Sequence, residues 1–305
     1  MPAFSTHYVF AKELMPFLIE NADFEVNEPA VYFGAQGPDV FFFHRVFPWM
    51  KGKPRREVGS HMHRSKPEAL FNEFRRCCEN DGKGIAKSYA YGFLMHYSLD
   101  RICHPYVYAR QEELVKSGEF THGFSAHNLV EYSLDSYILN KRCGIEKPYA
   151  FDTASTLTPD AAVIEEISKL LADILPKVTG DDIKEDSLSF AFYDMIKIQE
   201  ILCDESGKYQ KLTKGIDRII KPFTNGFSLN VMLRTRTPEA DARFSNTEHK
   251  IWVSPYDPTE RNESFEELFE LAKKDAQKLI TEYKSGADCG IMTENKSFLT
   301  GVEVK

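Results

Sequence analysis

The chain has 305 residues, of which 42% are hydrophobic, 28% charged and 13% aromatic. That composition supports a sizeable core without disulfides and excludes the low-hydrophobicity signature of disorder. A formal net charge of −8 argues against a nucleic-acid groove, which leaves a basic footprint, and reads as a solvated globular surface.

The N-terminal stretch Met1 to His7 has no basic region followed by an apolar core, and the aromatic run Phe41-Phe42-Phe43 is far too short to span a bilayer. A cytoplasmic protein without signal peptide or membrane span is expected. A first helix runs from a cap at Ser5 or Thr6 towards Asn21, followed by a stretch rich in Gly and Pro, Glu28 to Pro67, expected to be irregular. A second helical block covers Glu68 to about Asn80 and breaks at Asp81-Gly82-Lys83-Gly84. Ile85 to His104 reads as a long apolar helix ending at Pro105, because proline disfavours helical geometry at the preceding residue. Another helix runs from Phe124 to about Leu139.

Thr158-Pro159-Asp160 then supplies a cap, a proline and an acid for a helix start. Val163, Ile164, Ile167, Leu170, Leu171 and Ile174 follow at the spacing of one buried face. Pro222 to Pro258 reads as a long irregular connection. Ser264-Phe265-Glu266-Glu267 has the form of a capping box, with the stripe Phe265, Leu268, Phe269, Ala272, Ala276 and Leu279 behind it. No train of strands is present. The expected fold is all-α, a single domain over 1–305 with a metal-site half at about 1–150 and an additional helical half at about 151–305.

The six cysteines, at positions 77, 78, 103, 143, 203 and 289, include no C-x-x-C pair. Reduced thiols are expected rather than a disulfide framework or a thiolate zinc site. Eight of the nine histidines precede residue 128. On a helix of about 100° per residue, His96, Asp100 and His104 fall within an arc of about 80°, one turn apart on one ridge. His127 and Glu131 repeat the spacing. Nine histidines and 46 acids give about 1.4 such pairs by chance, so the two pairs alone say little and the extension to His104 says more. Exposed helix-surface hydrogen bonds are one reading. The other is a metal site, because the flanking Leu94, Met95, Leu99, Ile102 and Cys103 make the helix apolar, and buried acids need partners.

Phe4-Ser5-Thr6-His7, Gly34-Ala35-Gln36-Gly37-Pro38-Asp39, Gly59-Ser60-His61-Met62-His63, His96-x-x-x-Asp100-x-x-x-His104 and His127-x-x-x-Glu131 occur in this order. The succession resembles the zinc-dependent phospholipase C family, which includes secreted bacterial phospholipases C and the catalytic domain of glycosylphosphatidylinositol-specific phospholipase D. Fungal single-strand nucleases share its helical fold and trinuclear site. The resemblance implies two or three zinc ions. Asp39, His63 and His96 would hold one, Asp100 would bridge to a second that His7 also binds, and His104, His127 and Glu131 would hold the third. Asp39 would also orient or deprotonate the attacking water. His61 and His63 compete for one role, and His63 is preferred. Secreted members use an N-terminal tryptophan as a ligand, near whose position this chain has Phe4. The one-turn step from Asp100 to His104 is similar to the glycosylphosphatidylinositol-specific branch.

The implied activity is phosphodiester hydrolysis of a phospholipid, releasing a phosphorylated headgroup. A nuclease or phosphomonoesterase using the same metals, and a non-catalytic metal-bound protein that binds lipid or a partner, are the alternatives. The segment Phe41 to Arg56 carries five cations, no acid and interleaved aromatics, which suits an anionic lipid surface or a core of phenylalanines with solvated cations. The second half offers no site. His249 and Trp252 read there as a surface histidine and a packed tryptophan.

Overall fold

The computed structural model describes residues 4–47, 49–79, 81–234, 236–237 and 242–304. The described residues form a helical protein with one short hairpin, so the all-α expectation holds. Met1, Pro2, Asn80 and residues 238–241 of the long connection lie outside the described residues, as does Pro48 of the basic segment.

Helix α5, Ile85–Lys116, organises the rest. Tyr89, Phe93, Leu94, Tyr97 and Leu99 are fully buried along it, and a helix apolar on every side must be surrounded. α2 (Glu28–Ala35), α6 (Gly123–Cys143) and α10 (Phe265–Lys284) pack around it. The α2 crossing is a backbone contact. A Cβ on Gly34 would lie 2.2 Å from the Tyr89 carbonyl oxygen, and one on Gly92 2.2 Å from that of Val31.

α5 does not end at Pro105 as expected but continues to Lys116. A proline inside a helix leaves the carbonyl four residues earlier without its donor. Here that carbonyl belongs to Arg101, and the C-terminal turn at Gly301 covers it, with space that a Cβ would fill at 2.5 Å. Burial of α5 on several sides outweighs the local cost.

The stretch Glu28 to Pro67 is irregular only in part, over the described residues between His44 and Arg55. Asn27 caps α2, accepting from Ala30 N at 3.0 Å, with Pro29 in the first turn. A 3₁₀ turn, Gly37–Phe43, and α3, Arg56–Arg64, follow. α1 spans Phe4–Asn21, with Ser5 and Thr6 inside its first turn, and α4 spans Pro67–Cys78.

α7, Ala161–Val178, starts later than expected because Asp160, not Thr158, caps it, accepting from Ala162 N at 2.8 Å. Its stripe from Val163 to Ile174 is buried. α8 (Glu185–Leu202) and α9 (Lys208–Ile220) have no counterpart in the sequence reading. The long connection is mostly irregular, but Trp252–Ser254 (β1) and Asp257–Arg261 (β2) pair antiparallel, Trp252 opposite Arg261. Trp252 is buried and His249 exposed. The capping box forms in full at Ser264 and Glu267 and starts α10. A short α11, Cys289–Thr293, then turns the chain back towards α5. All six cysteines are free thiols, and no described helix is long and apolar enough to cross a membrane.

Candidate metal centre

The site is built where α1, the Gly37–Phe43 turn, α3, α5 and α6 converge. His96, Asp100 and His104 lie on one ridge of α5 and are fully buried. His7 is held against them by the way α1 begins. Its first-turn amides, Ser5 N and Thr6 N, donate to the buried Asp135 carboxylate of α6 at 3.2 and 2.6 Å, and Thr6 Oγ1 donates at 2.8 Å. An anion at a helix N-terminus satisfies orphan donors and complements the dipole. Arg234 completes the knot, donating to Asp135 and, through Nη2, to Ser5 Oγ at 2.6 Å.

Asp39 enters from the 3₁₀ turn and His63 from the last turn of α3. His63 Nε2 lies 3.3 Å from Asp39 Oδ1 and 3.6 Å from Asp100 Oδ2. His96 Nε2 is 3.1 Å, and His7 Nε2 3.3 Å, from the two oxygens of Asp100. At the other end, His127 Nε2 is 2.9 Å and His104 Nε2 3.9 Å from Glu131 Oε1. His61 points elsewhere, pairing with Asp181 at the surface at 2.9 Å.

Three sets of donor atoms form, and within each set the atoms lie within 4.8 Å of one another: His7, His96 and Asp100; Asp39, His63 and His96; His104, His127 and Glu131. The eight residues expected to form a site are brought together, with His96 shared between two sets.

The donors fit a cation. Asp100 Oδ1 and Oδ2, Asp39 Oδ1 and the Nε2 atoms of His7, His63, His96 and His104 are buried without a hydrogen bond. Their mutual distances of 3.1–3.6 Å are those of ion-pair neighbours whose lone pairs meet, which is costly unless a positive charge sits among them. Four histidines have Nδ1 engaged with an acceptor: His63 with Gly59 O at 2.7 Å, His96 with Ala35 O at 3.1 Å, His104 with Phe298 O at 2.8 Å and His127 with Gln111 Oε1 at 2.8 Å. A proton held on Nδ1 leaves Nε2 as the lone-pair donor, the usual arrangement of metal-ligating histidines. Imidazole and carboxylate donors without thiolate suit zinc in a hydrolytic site.

The electrostatics agree. Burial would raise the Asp100 carboxyl, but the surrounding His104, His96, His63 and His7 hold it well below the usual carboxylate range. Burial would also raise Glu131, yet His127 beside it brings it down to about 2. For His7 and His104 burial dominates and lowers both, keeping the rings neutral. His63 goes the other way. Burial lowers it, but Asp100 and Asp39 together push it up to about 9. Without a metal, His63 is thus the group that carries positive charge between the two aspartates.

Aromatic rings wall the centre. His7 stacks on His96 with centroids 4.3 Å apart, and Phe42 stacks on His63 at 5.8 Å. Phe298 meets the His63 ring edge to face at 5.8 Å, and its carbonyl orients His104. The second half of the chain therefore does contribute to the site, through a phenylalanine that no spacing connects to the histidines. Gln111, Asp135 and Arg234 were equally hidden. Only Asp135 carries a signal, as an acid one turn beyond Glu131 in a helix that is otherwise largely buried. His127, with 14% of its side chain exposed, is the most accessible of the eight, so the centre opens at that end. A separate groove lies beside Arg101 and Asp275, lined by Lys274, Lys278 and Lys296. It contains none of the eight residues.

Neither a curated protein nor a solved structure matches the chain. Among protein families, the one described as zinc dependent phospholipase C matches residues 6–185, which include all eight residues and cover more than half of the chain. The chain belongs to the zinc-dependent phospholipase C family.

Proposed function

We propose that the protein is a zinc-dependent phosphoric diester hydrolase that cleaves a phospholipid on the glycerol side of phosphorus, releasing diacylglycerol and a phosphorylated headgroup. The observation that supports this reading is the presence of three His and carboxylate donor sets, two of which share His96. When bound, zinc supplies Lewis-acid charge to phosphoryl oxygens and lowers the pKa of water towards neutrality. In this reading Asp39, His63 and His96 would hold one ion, His7 and Asp100 a second, and His104, His127 and Glu131 a third.

Asp39 lies on the 3₁₀ turn Gly37–Phe43, buried beside His63, where its carboxylate orients or deprotonates the attacking water. The backbone and Gln111 acceptors on Nδ1 keep four imidazoles fixed, so that little reorganisation accompanies the reaction. Phe42 and Phe298 exclude bulk water from the His63 side. The chain works as one domain over 1–305, because Phe298 closes the centre and Arg101 of α5 is clamped by Asp275 of α10 at 2.5 Å.

The phospholipid partner would lie at a peripheral membrane surface. Of the segment Phe41 to Arg56, Phe41 is core, whereas Trp49 is 75% exposed and stacked on Phe47, next to exposed Lys51 and Lys53. Such a pair suits the headgroup level of an anionic bilayer.

The test is hydrolysis by the zinc-loaded protein of soluble short-chain phosphatidylcholine and phosphatidylinositol, with single-stranded DNA and p-nitrophenyl phosphate as competitors. Release of phosphocholine or inositol phosphate is expected, falling about 10²–10⁴-fold in Asp39→Asn. Turnover of only the DNA or the monoester would reassign the substrate, and no turnover of any of them would reject the hydrolase reading.

A further inference from the structure

Beyond the matched residues, α9 is built unlike the other long helices. Asp217 is its one buried residue, so the helix contributes almost nothing to the core. Leu212 and Ile219 are 56% and 69% exposed, and Phe223, in the following 3₁₀ turn Lys221–Phe223, is 86% exposed. At about 100° per residue, Leu212, Ile216 and Ile219 share an arc of about 60°, and Lys211, Lys214, Arg218 and Lys221 share another of about 80°. Between residues 208 and 221 five cations face one acid, a local excess of +4 in a chain of net charge −8.

Isolated helices of this length are marginal in water, and this one is held by polar ties, with Asp204 accepting from Tyr209 N and Gln210 N at its start and the buried Asp217 holding its end. Asp217 accepts from Ser228 Oγ, from Leu229 N at 2.7 Å and from Asn230 N at 3.2 Å. The same loop is tied to the start of α6. Ser228 N donates to Ser125 Oγ at 2.9 Å, and Thr121 Oγ1 donates to Asn225 O at 2.9 Å. The Phe227 ring stacks on Phe124, itself 53% exposed, with centroids 6.1 Å apart. Phe124 is one helical turn from His127, the most accessible residue of the metal centre. The loop that anchors α9 thus adjoins the end at which the centre opens.

We propose that α9 and its Phe223 turn dock the protein on an anionic phospholipid bilayer, with Leu212, Ile219 and Phe223 entering the interface and the Lys/Arg row lying among the headgroups. The motif is that of an interfacial amphipathic helix: a segregated apolar arc, a cationic arc and low overall hydrophobicity. Charge decides the occupant. A chain with a net excess of acids is repelled by an anionic surface, so local basic patches, the +4 of α9 beside that of the Phe41 to Arg56 segment, orient the approach. The proposal deepens the phospholipase reading by naming how the site meets its lipid, and it rests on that reading for the identity of the surface.

The test is flotation of the full-length, zinc-loaded protein with vesicles of phosphatidylcholine alone and of phosphatidylcholine with phosphatidylserine. Three variants are compared with wild type: Lys211→Glu with Lys214→Glu and Arg218→Glu; Leu212→Ser with Ile219→Ser and Phe223→Ser; and Lys51→Glu with Lys53→Glu. Wild type should float with the anionic vesicles. Each α9 variant should lose at least about tenfold in partitioning, and added salt should weaken wild-type binding. Because the altered residues of α9 and its Phe223 turn are exposed, thermal melts of both α9 variants and their turnover of a soluble short-chain lipid should match wild type. Undiminished partitioning of both α9 variants, or loss confined to the Lys51/Lys53 variant, would overturn the proposal. So would wild type that ignores both vesicles, or a self-associated wild type that the apolar variant makes monomeric without affecting vesicle binding. Vesicle binding that depends on α9, in a protein that hydrolyses no lipid, would uphold the docking surface and reject the phospholipase reading.

Discussion

Gly37 lies against the ring of His96 so closely that a Cβ would fall 2.4 Å from the imidazole Cδ2, and its backbone is left-handed at φ +52°. Any L side chain there is strained twice, once in the backbone and once against a ring shared by two donor sets. Gly37→Ala should cost about 1–2 kcal/mol from the left-handed conformation alone, about 2–4 °C of Tm per kcal/mol in a protein of this size or somewhat less. It should also displace His96 and lower zinc content. Thermal melts with and without chelator check this, since the loss of metal should exceed what the metal-free melt explains.

The pH dependence of the metal-free protein turns on His63. Its folded pKa of about 9 lies above the ordinary histidine value of 6.5. The stability it contributes is therefore fully present below 6.5 and is lost as pH rises to about 9. Zinc needs the neutral ring, so binding between these values should release a proton. Calorimetric zinc titrations at pH 7.5 in buffers of different ionisation enthalpy should report about one proton more from wild type than from His63→Gln. Equal proton release in the two proteins would contradict the assignment of charge to His63.

Glu131 works in the opposite direction. Its carboxyl is held at about 2, below the ordinary 4.5. Its stabilising contribution is present above 4.5 and disappears as pH falls towards 2. Acid titration of chelator-treated protein, followed by circular dichroism, should show a shallower loss of stability in Glu131→Gln than in wild type over that window.

Gln111 accepts at 2.8 Å from His127, one of the donors of the outer set. Gln111→Leu removes that acceptor without touching the other two sets. The affinity of the outer ion should fall about 10–100-fold, the usual effect of losing such a partner, while the remaining ions stay bound. Stepwise dialysis against rising chelator, with metal counted at each step, resolves the two behaviours.

Asp135 ties the start of α1 to Arg234 inside the protein. Asp135→Asn leaves a buried guanidinium without its counter-charge, a change that typically costs about 3–5 kcal/mol, and it loosens the first turn that carries His7. A large drop in Tm is expected, and adding Arg234→Met to Asp135→Asn should partly restore it because both charges are then gone.

How far the sequence can be read depends on where its signals are local. The α5 ridge of His96, Asp100 and His104 is visible because ligands on one helix repeat every turn, and the Ser264 capping box because its partners are three residues apart. Glycine and proline misled in the stretch from Glu28 to Pro67. There they serve close packing and helix starts, and the local pattern cannot distinguish that from a loop. Pro105 misled for a related reason, since the cover over the Arg101 carbonyl comes from Gly301, far along the chain. Phe298, Gln111 and Arg234 were illegible because their roles are set by tertiary contact alone. The family match ends at residue 185, yet Phe298 is part of the wall.

The most direct measurement is metal content by mass spectrometry of the folded protein after zinc reconstitution, for wild type and for Asp100→Ala, whose carboxylate lies against His7, His63 and His96. Two or three zinc ions per wild-type chain, with loss in the variant of those that share Asp100, is the predicted result. Wild-type protein that remains folded and takes up no zinc would contradict the metal centre and the hydrolase built upon it.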